Sequence, residues 1–185
     1  VKDRTKHALT ALFVGRAETG MGGEGYMSLP DAEHLDLRDT LTLETVLYPR
    51  PALMGAAYPH VARLHPFVSK GDLGFQLMQD GDAVQLWLRF PGEREPLLVR
   101  APVPADWYGA WHRLTGTYDG KVARLYLDGR PVASAEKAGR LSPGHFPLNV
   151  GRNPERVDVR TPARFREARV WSRALSEAEV AAADT

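Results

Sequence analysis

Two aspartates, a histidine and three aromatic rings fall between Trp111 and Ser134, in the run WHRLTGTYDGKVARLYLDGRPVAS. Side chains of these types have two chemical uses. His112 with Asp119 or Asp128 can pass a proton as an acid–base pair, and an aromatic face can carry the apolar side of a sugar ring. Spacing separates the two. Asp119 and Asp128 each precede a glycine, in YDGK and LDGR, between and after runs that alternate with period two. Asp-Gly at such a place fits a type I′ hairpin turn, whose central residues take positive φ. Both aspartates are therefore expected in turns. His112 shares parity with Leu114 and Gly116, which places it among packed strand residues rather than as a general base.

Other reactive sets are absent by the same test. A jelly-roll glycosidase needs paired carboxylates at alternate positions facing one cleft. Glu93 and Glu95 have that spacing, but Gly92 and Pro96 bracket them and indicate an exposed hairpin tip. His60, His65 and His145 are isolated, and no His-x-His or Glu-x-x-His spacing indicates zinc. There is no Gly-x-Ser-x-Gly elbow and no phosphate-binding glycine loop. With no Cys, thiolate metal sites, disulfides and a Cys nucleophile are all excluded. The formal net charge of +1 and the lack of charge runs argue against nucleic acid as a partner. No apolar run approaches the roughly 18 residues that a membrane-spanning helix requires, so no membrane partner is expected. The start at Val1 reads as a fragment of a longer protein.

The elements that position these residues are short strands. In DTLTLETVLYP, Leu41, Leu43, Thr45 and Leu47 point one way and Thr42, Glu44, Val46 and Tyr48 the other, until Pro49 and Pro51 stop the ladder. FVSKGD, GFQLMQ and AVQLWLRF follow, the last two joined by a QDGD hairpin; PLLVRAPVP, PLNVG and EARVWSR supply further strands. Residues 1–24, with ETGMGGEG, form an irregular N-terminal segment, a loop or at most a short edge strand. PRPALMGAAYPHVARLHP is a long Pro-bounded loop. Ser176 and Glu179 make a capping box, which predicts a short helix over 176–183. Ten to twelve strands with almost no helix in 185 residues predict one all-β domain spanning 1–185, a sandwich of two antiparallel sheets.

Parity then names a sugar-binding set. Val84, Leu86, Leu88 and Phe90 form an apolar stripe, so Gln85, Trp87 and Arg89 project from the opposite face. Ala123, Leu125 and Leu127 are core, leaving Arg124 and Tyr126 outside. Trp87, Arg89, Arg124 and Tyr126 are expected to line the concave face of one sheet. Gln76 and Met78 oppose Phe75 and Leu77 in the same way. Sandwich loops cluster at the ends, so Trp107 and Tyr108, with Tyr58 and His60 from the long loop, define a rim alternative. The competing reading has Trp87 covered by a loop or by an attached enzyme. Trp111 and Trp171 are read as packing residues.

Taken in order, WHRLTGTYDGKVARLYLDGRPVAS, PLNVGRNPE and EARVWSRALSEAEV resemble the laminin-G-like, concanavalin A-like jelly-roll domains attached to secreted bacterial proteins. YMSLPDAEHLDL and TLTLETVLYP resemble that family's first strands, and the resemblance covers about residues 25–181. HPFVSKGDLGFQLMQ with WYGAWHRLTGTYDG is similar, more narrowly, to the accessory domain at the end of family 2 glycoside hydrolases of the β-galactosidase type. The resemblance implies a non-catalytic carbohydrate-binding module, secreted or periplasmic. Its implied partners are a plant or host polysaccharide, galactose-containing in the narrower reading, and the catalytic domain of the same chain. The alternative is a structural domain that packs on the enzyme without binding sugar. The resemblance also implies a structural calcium. Here, however, Arg166 stands before Glu167 where the family carries Asp, and GGEGY replaces an Asp-rich turn. Calcium wants six to eight oxygens, so no tightly held metal or other cofactor is expected.

Overall fold

The alternation that begins at Leu41 becomes a nine-residue strand, and eleven others accompany it among the described residues. A computed structural model describes residues 13–19, 26–51, 63–156 and 158–182. In chain order the strands are β1 (Phe13–Thr19), β2 (Met27–Leu29), β3 (Leu41–Pro49), β4 (Leu64–Ser69), β5 (Phe75–Asp80) and β6 (Ala83–Leu88), then β7 (Leu97–Pro102), β8 (His112–Tyr118), β9 (Val122–Leu127), β10 (Arg130–Glu136), β11 (Leu148–Val150) and β12 (Ala163–Trp171). One helix, α1 (Glu177–Ala182), follows. The first sheet runs β1-β12-β3-β8-β9-β10 and the second β2-β11-β4-β5-β6-β7. Every neighbouring pair is antiparallel. The all-β, two-sheet jelly-roll sandwich with a short C-terminal helix is the architecture observed.

The inner faces are the apolar parities. Leu41, Leu43, Leu47, Leu114 and Leu125 from the first sheet meet Leu77, Val84, Leu86, Leu88 and Val99 from the second, all buried. Each such side chain contributes about 1.5–3 kcal/mol on leaving water. The sheets come so close at Gly116 that an added Cβ would lie 2.8 Å from Leu86 Cδ1, so only a hydrogen fits there.

Turn chemistry closes the hairpins. Asp128 and Gly129 have φ of 50° and 76°, the double left-handed signature of the I′ turn between β9 and β10. Asp119 accepts the Lys121 and Val122 N–H groups at 3.0 and 2.7 Å, fixing the β8–β9 turn. Helix α1 starts with the reciprocal capping box: Ser176 N–H donates to Glu179 Oε2 at 2.8 Å, and Glu179 N–H to Ser176 Oγ at 3.3 Å.

Within the N-terminal segment β1 is the edge strand that the sequence reading allowed, and it pairs along β12. Its sequence lacks clean alternation, and an edge position with a register shift between Val14 and Ala17 tolerates that. Most of the Pro-bounded loop, Tyr58 and His60 included, lies outside the described residues, and β4 starts within its last residues.

Candidate functional site

The suspected catalytic set is bound to itself. Asp128 holds two partners at once, Arg113 N–H at 2.7 Å on one oxygen and His112 Nδ1 at 2.9 Å on the other. His112 Nε2 lies 3.3 Å from the Asp106 carbonyl, and the ring stacks on Trp107 at 5.0 Å between centroids. Neither imidazole nitrogen is left to meet a substrate. Glu93 pairs with Lys137 at 2.9 Å on an exposed turn. Glu44, buried on the outer face of the first sheet, accepts from Arg169 Nη1 at 3.0 Å and Thr115 Oγ1 at 2.9 Å.

The platform assembled by parity is divided between two surfaces. Gln85 and Trp87 stand on the outer face of β6 in the second sheet, whereas Arg124 and Tyr126 stand on the outer face of β9 in the first. Parity gives the face of a strand but not the sheet to which it belongs, so the four residues were never neighbours. Tyr126 is 1% exposed, covered by Leu175 and Val180 with Trp171 against them, so the tail of the chain has taken the surface a sugar would need. Arg124 Nη1 is held by Asp119 at 2.7 Å. Arg89 lies just past β6 and donates from Nη1 to the Arg94 carbonyl at 2.8 Å, into a turn rather than beside Trp87. Gln85 is buried, with no hydrogen bond on Oε1.

At the rim the pair also divides. Trp107 is 1% exposed and donates from Nε1 to Gln79 Oε1 at 2.8 Å, which makes it a core residue. Gln79 passes the connection on from Nε2 to the Tyr108 hydroxyl at 3.0 Å, and Tyr108 stays 44% exposed. Trp111 is also open, 40% exposed, with Arg166 over its ring at 4.4 Å and Tyr48 edge-on at 5.7 Å. The packing expected of Trp111 is thus partial; Trp171 is half-buried against Tyr126.

Trp87 does line a cleft, with partners that parity did not supply. Cross-strand pairing sets Ser28, Asn149, Ser69, Gln76, Trp87 and Leu98 in one row across the second sheet. Above the middle of this row the 70–74 turn and the loop that carries Asn153, Arg156 and Val159 border a shallow cleft with room for about 20 Å³. Leu64, Pro66, Met78 and Val159 are its apolar lining, and Trp87, Gln76, Asp72, Asn153 and Arg156 complete it. Asp72 is the hub. Its Oδ1 accepts from Gln76 Nε2 at 3.0 Å and Asn153 Nδ2 at 2.8 Å; its Oδ2 accepts from Arg156 Nε at 2.6 Å and from Arg156 Nη2. The Trp87 indole N–H donates to the Asp72 backbone carbonyl at 3.2 Å, which fixes the ring. Asn153 Oδ1 in turn caps the Glu155 and Arg156 N–H groups at 2.9 and 3.2 Å. That last turn was legible, since Asn-Pro-Glu-Arg is an Asx-turn sequence; its folding onto Asp72 was not.

The calcium that the resemblance implies would fall near Arg166 and Glu167. Arg166 is a cation stacked on Trp111, and Glu167 is engaged by Arg169. Among the described residues no three His, Asp or Glu side chains gather as ligands.

The model for the concanavalin A-like lectin/glucanases superfamily matches residues 21–181. No curated protein matches the chain. Domain 4 of AbnA, a GH43 extracellular arabinanase from Geobacillus stearothermophilus solved with arabinotriose, shares the fold at a TM-score of 0.64 and 17% identity, over 94% of this chain and 80% of that one. The receptor-binding domain of botulinum neurotoxin type G superposes at 0.62 with 14% identity, and the binding domain of paraclostridial mosquitocidal protein 1 at 0.64 with 14%. The chain is covered to 93% in both and spans only 45% and 46% of their lengths.

Proposed function

The chain belongs to the concanavalin A-like lectin/glucanases superfamily, and on that premise we propose that it is a non-catalytic carbohydrate-binding module whose site is the cleft beside Trp87. The observation that carries this reading is an indole fixed by its N–H on the Asp72 carbonyl, set in one shallow cleft with the free edge of a guanidinium and an apolar lining of Leu64, Pro66 and Met78. A pyranose presents C–H groups on one face and oxygens at its edge, so it needs this combination. The proposed setting is a secreted or periplasmic glycoside hydrolase of the β-galactosidase type, with the module holding the catalytic domain near a galactose-containing polysaccharide by raising its effective concentration. Among the described residues Glu44, Glu93 and Asp128 are each engaged by a cation, a hydroxyl or a backbone group, which supports the non-catalytic reading.

Affinity electrophoresis in gels containing galactan, arabinan or pectic polymers tests it. Retardation by at least one polymer is expected, and Trp87→Ala should weaken it roughly 3- to 10-fold, from a stacking contribution of about 0.5–1.5 kcal/mol. Migration unaffected by every polymer, or retardation indifferent to Trp87→Ala, overturns the assignment. The second reading, a domain that packs on its catalytic neighbour, is favoured by the exposed rings of Tyr108 and Trp111 at one end of the sandwich. It predicts stable co-purification with that neighbour and loss of the complex in Trp111→Ser.

A further inference from the structure

We propose that the Trp87 cleft selects saccharides carrying an acidic, acceptor-only substituent, a uronate carboxylate or a sulfate ester, which docks on the outer edge of Arg156. The inference rests on the cleft being a sugar site and follows from counting its hydrogen-bond capacity.

Every polar acceptor on the lining side chains is already filled. Asp72 takes two donors on each oxygen, from Gln76, Asn153 and Arg156. Gln76 Oε1 accepts from Ser69 Oγ at 3.0 Å and Asn153 Nδ2 at 3.4 Å. Asn153 Oδ1 accepts two backbone N–H groups. A carboxylate offers about four lone-pair sites and an amide oxygen two, so none of these oxygens has capacity to spare. The donors are different. Both Asn153 amide hydrogens are used, on Asp72 and Gln76, but a guanidinium carries five N–H groups and Arg156 directs two of them, from Nε and Nη2, at Asp72. The edge formed by Nη1 and the second Nη2 hydrogen remains, on a half-exposed side chain at the mouth of the cleft.

A neutral sugar hydroxyl is both donor and acceptor, and in this cleft its hydrogen finds no side-chain acceptor. A carboxylate or sulfate brings acceptors only and matches the bidentate edge of arginine. Asp72 and Arg156 are the ionisable side chains lining the cleft, and they neutralise each other before any ligand arrives. The nearby Glu155 carboxylate is turned onto the backbone, where Oε2 takes the Asp72 N–H at 2.8 Å. The arriving anion therefore meets the guanidinium edge with the Glu155 charge beside it, and the two parallel N–H bonds of that edge must outweigh the repulsion.

Isothermal titration of the protein with a neutral galacto-oligosaccharide, an oligogalacturonide and a sulfated galactan oligosaccharide of similar length tests the inference and separates the two sources of the acid. Either acidic ligand should bind at least about tenfold more tightly than the neutral one, as a charge-assisted pair supplies. That preference should weaken as salt is raised. Arg156→Gln should abolish the preference with the melting temperature close to the parent's, and Arg156→Lys should restore only part of it. Equal affinity for all three ligands, or a preference that survives Arg156→Gln, overturns the acidic selectivity and leaves the sugar site standing. Binding to none of them removes both.

Discussion

Replacing Asp72 by Ala withdraws the acceptor that ties Gln76 on β5 to Asn153 and Arg156 of the loop after β11. Gln76 and Asn153 are both buried, and Asp72 Oδ1 is the acceptor for an N–H of each. Gln76 Nε2 would be left without its partner; Asn153 Nδ2 would retain only the 3.4 Å contact to Gln76. A buried donor stranded in this way costs about 1–3 kcal/mol. Arg156 is half-exposed and turns to water, so its loss adds little. The sum is about 3 kcal/mol, which for a domain of this size lowers the melting temperature by roughly 6–12 °C. Urea unfolding followed by tryptophan fluorescence measures it, with an unchanged m-value showing that stability alone has moved. The Asp72→Ala/Asn153→Ala double mutant should lose less than the two single losses added, since the two residues share one hydrogen bond. A single Asp72→Ala variant within about 1 kcal/mol of the parent would refute the hub, and with it the idea that the cleft is preformed.

Two further outcomes follow from other parts of the molecule. The Glu179 carboxyl is held down to about 2 from 4.5, chiefly by the Arg173 guanidinium and then by Ser176 N–H. A folded-state value below the unfolded one gives stability that is complete above pH 4.5 and is lost as pH falls through about 2. The docking of α1 over Tyr126 should therefore loosen in that window, read as a change in near-ultraviolet circular dichroism from Trp171 and Tyr126; a flat signal down to pH 2 would contradict the role of the cap. We propose further that no calcium is held tightly near Arg166, so EDTA should leave the melting temperature unchanged. A drop of several degrees would refute the proposal.

The fold was legible because its signals are local. Alternation in 41–48, Asp-Gly at 128–129 and the Ser176–Glu179 box each act over a few residues, and each appears where its chemistry places it. The site was only half legible. Parity correctly put Trp87 on the outer face of its strand, but grouping it with Arg124 and Tyr126 required knowing which strands share a sheet, and strand order is set by long-range packing. Tyr126 shows the same limit from the other side: its outward parity is real, and a segment some fifty residues later covers it. Asp72 stands in the sequence only as the end of the FVSKGD run, and nothing near it announces Asn153 or Arg156.

The Asp72 to Asn153 contact spans 81 residues of sequence. It can form only after β11 has docked beside β4, because the 151–160 loop follows β11 directly. Closing a loop of that length is entropically late in folding. The cleft is therefore complete only when the segments that carry Asp72 and Asn153, its two walls, have been brought together by the sandwich. A ligand seated between those walls draws on the cooperativity of the whole domain, and its occupancy is a reading of global integrity rather than of one loop.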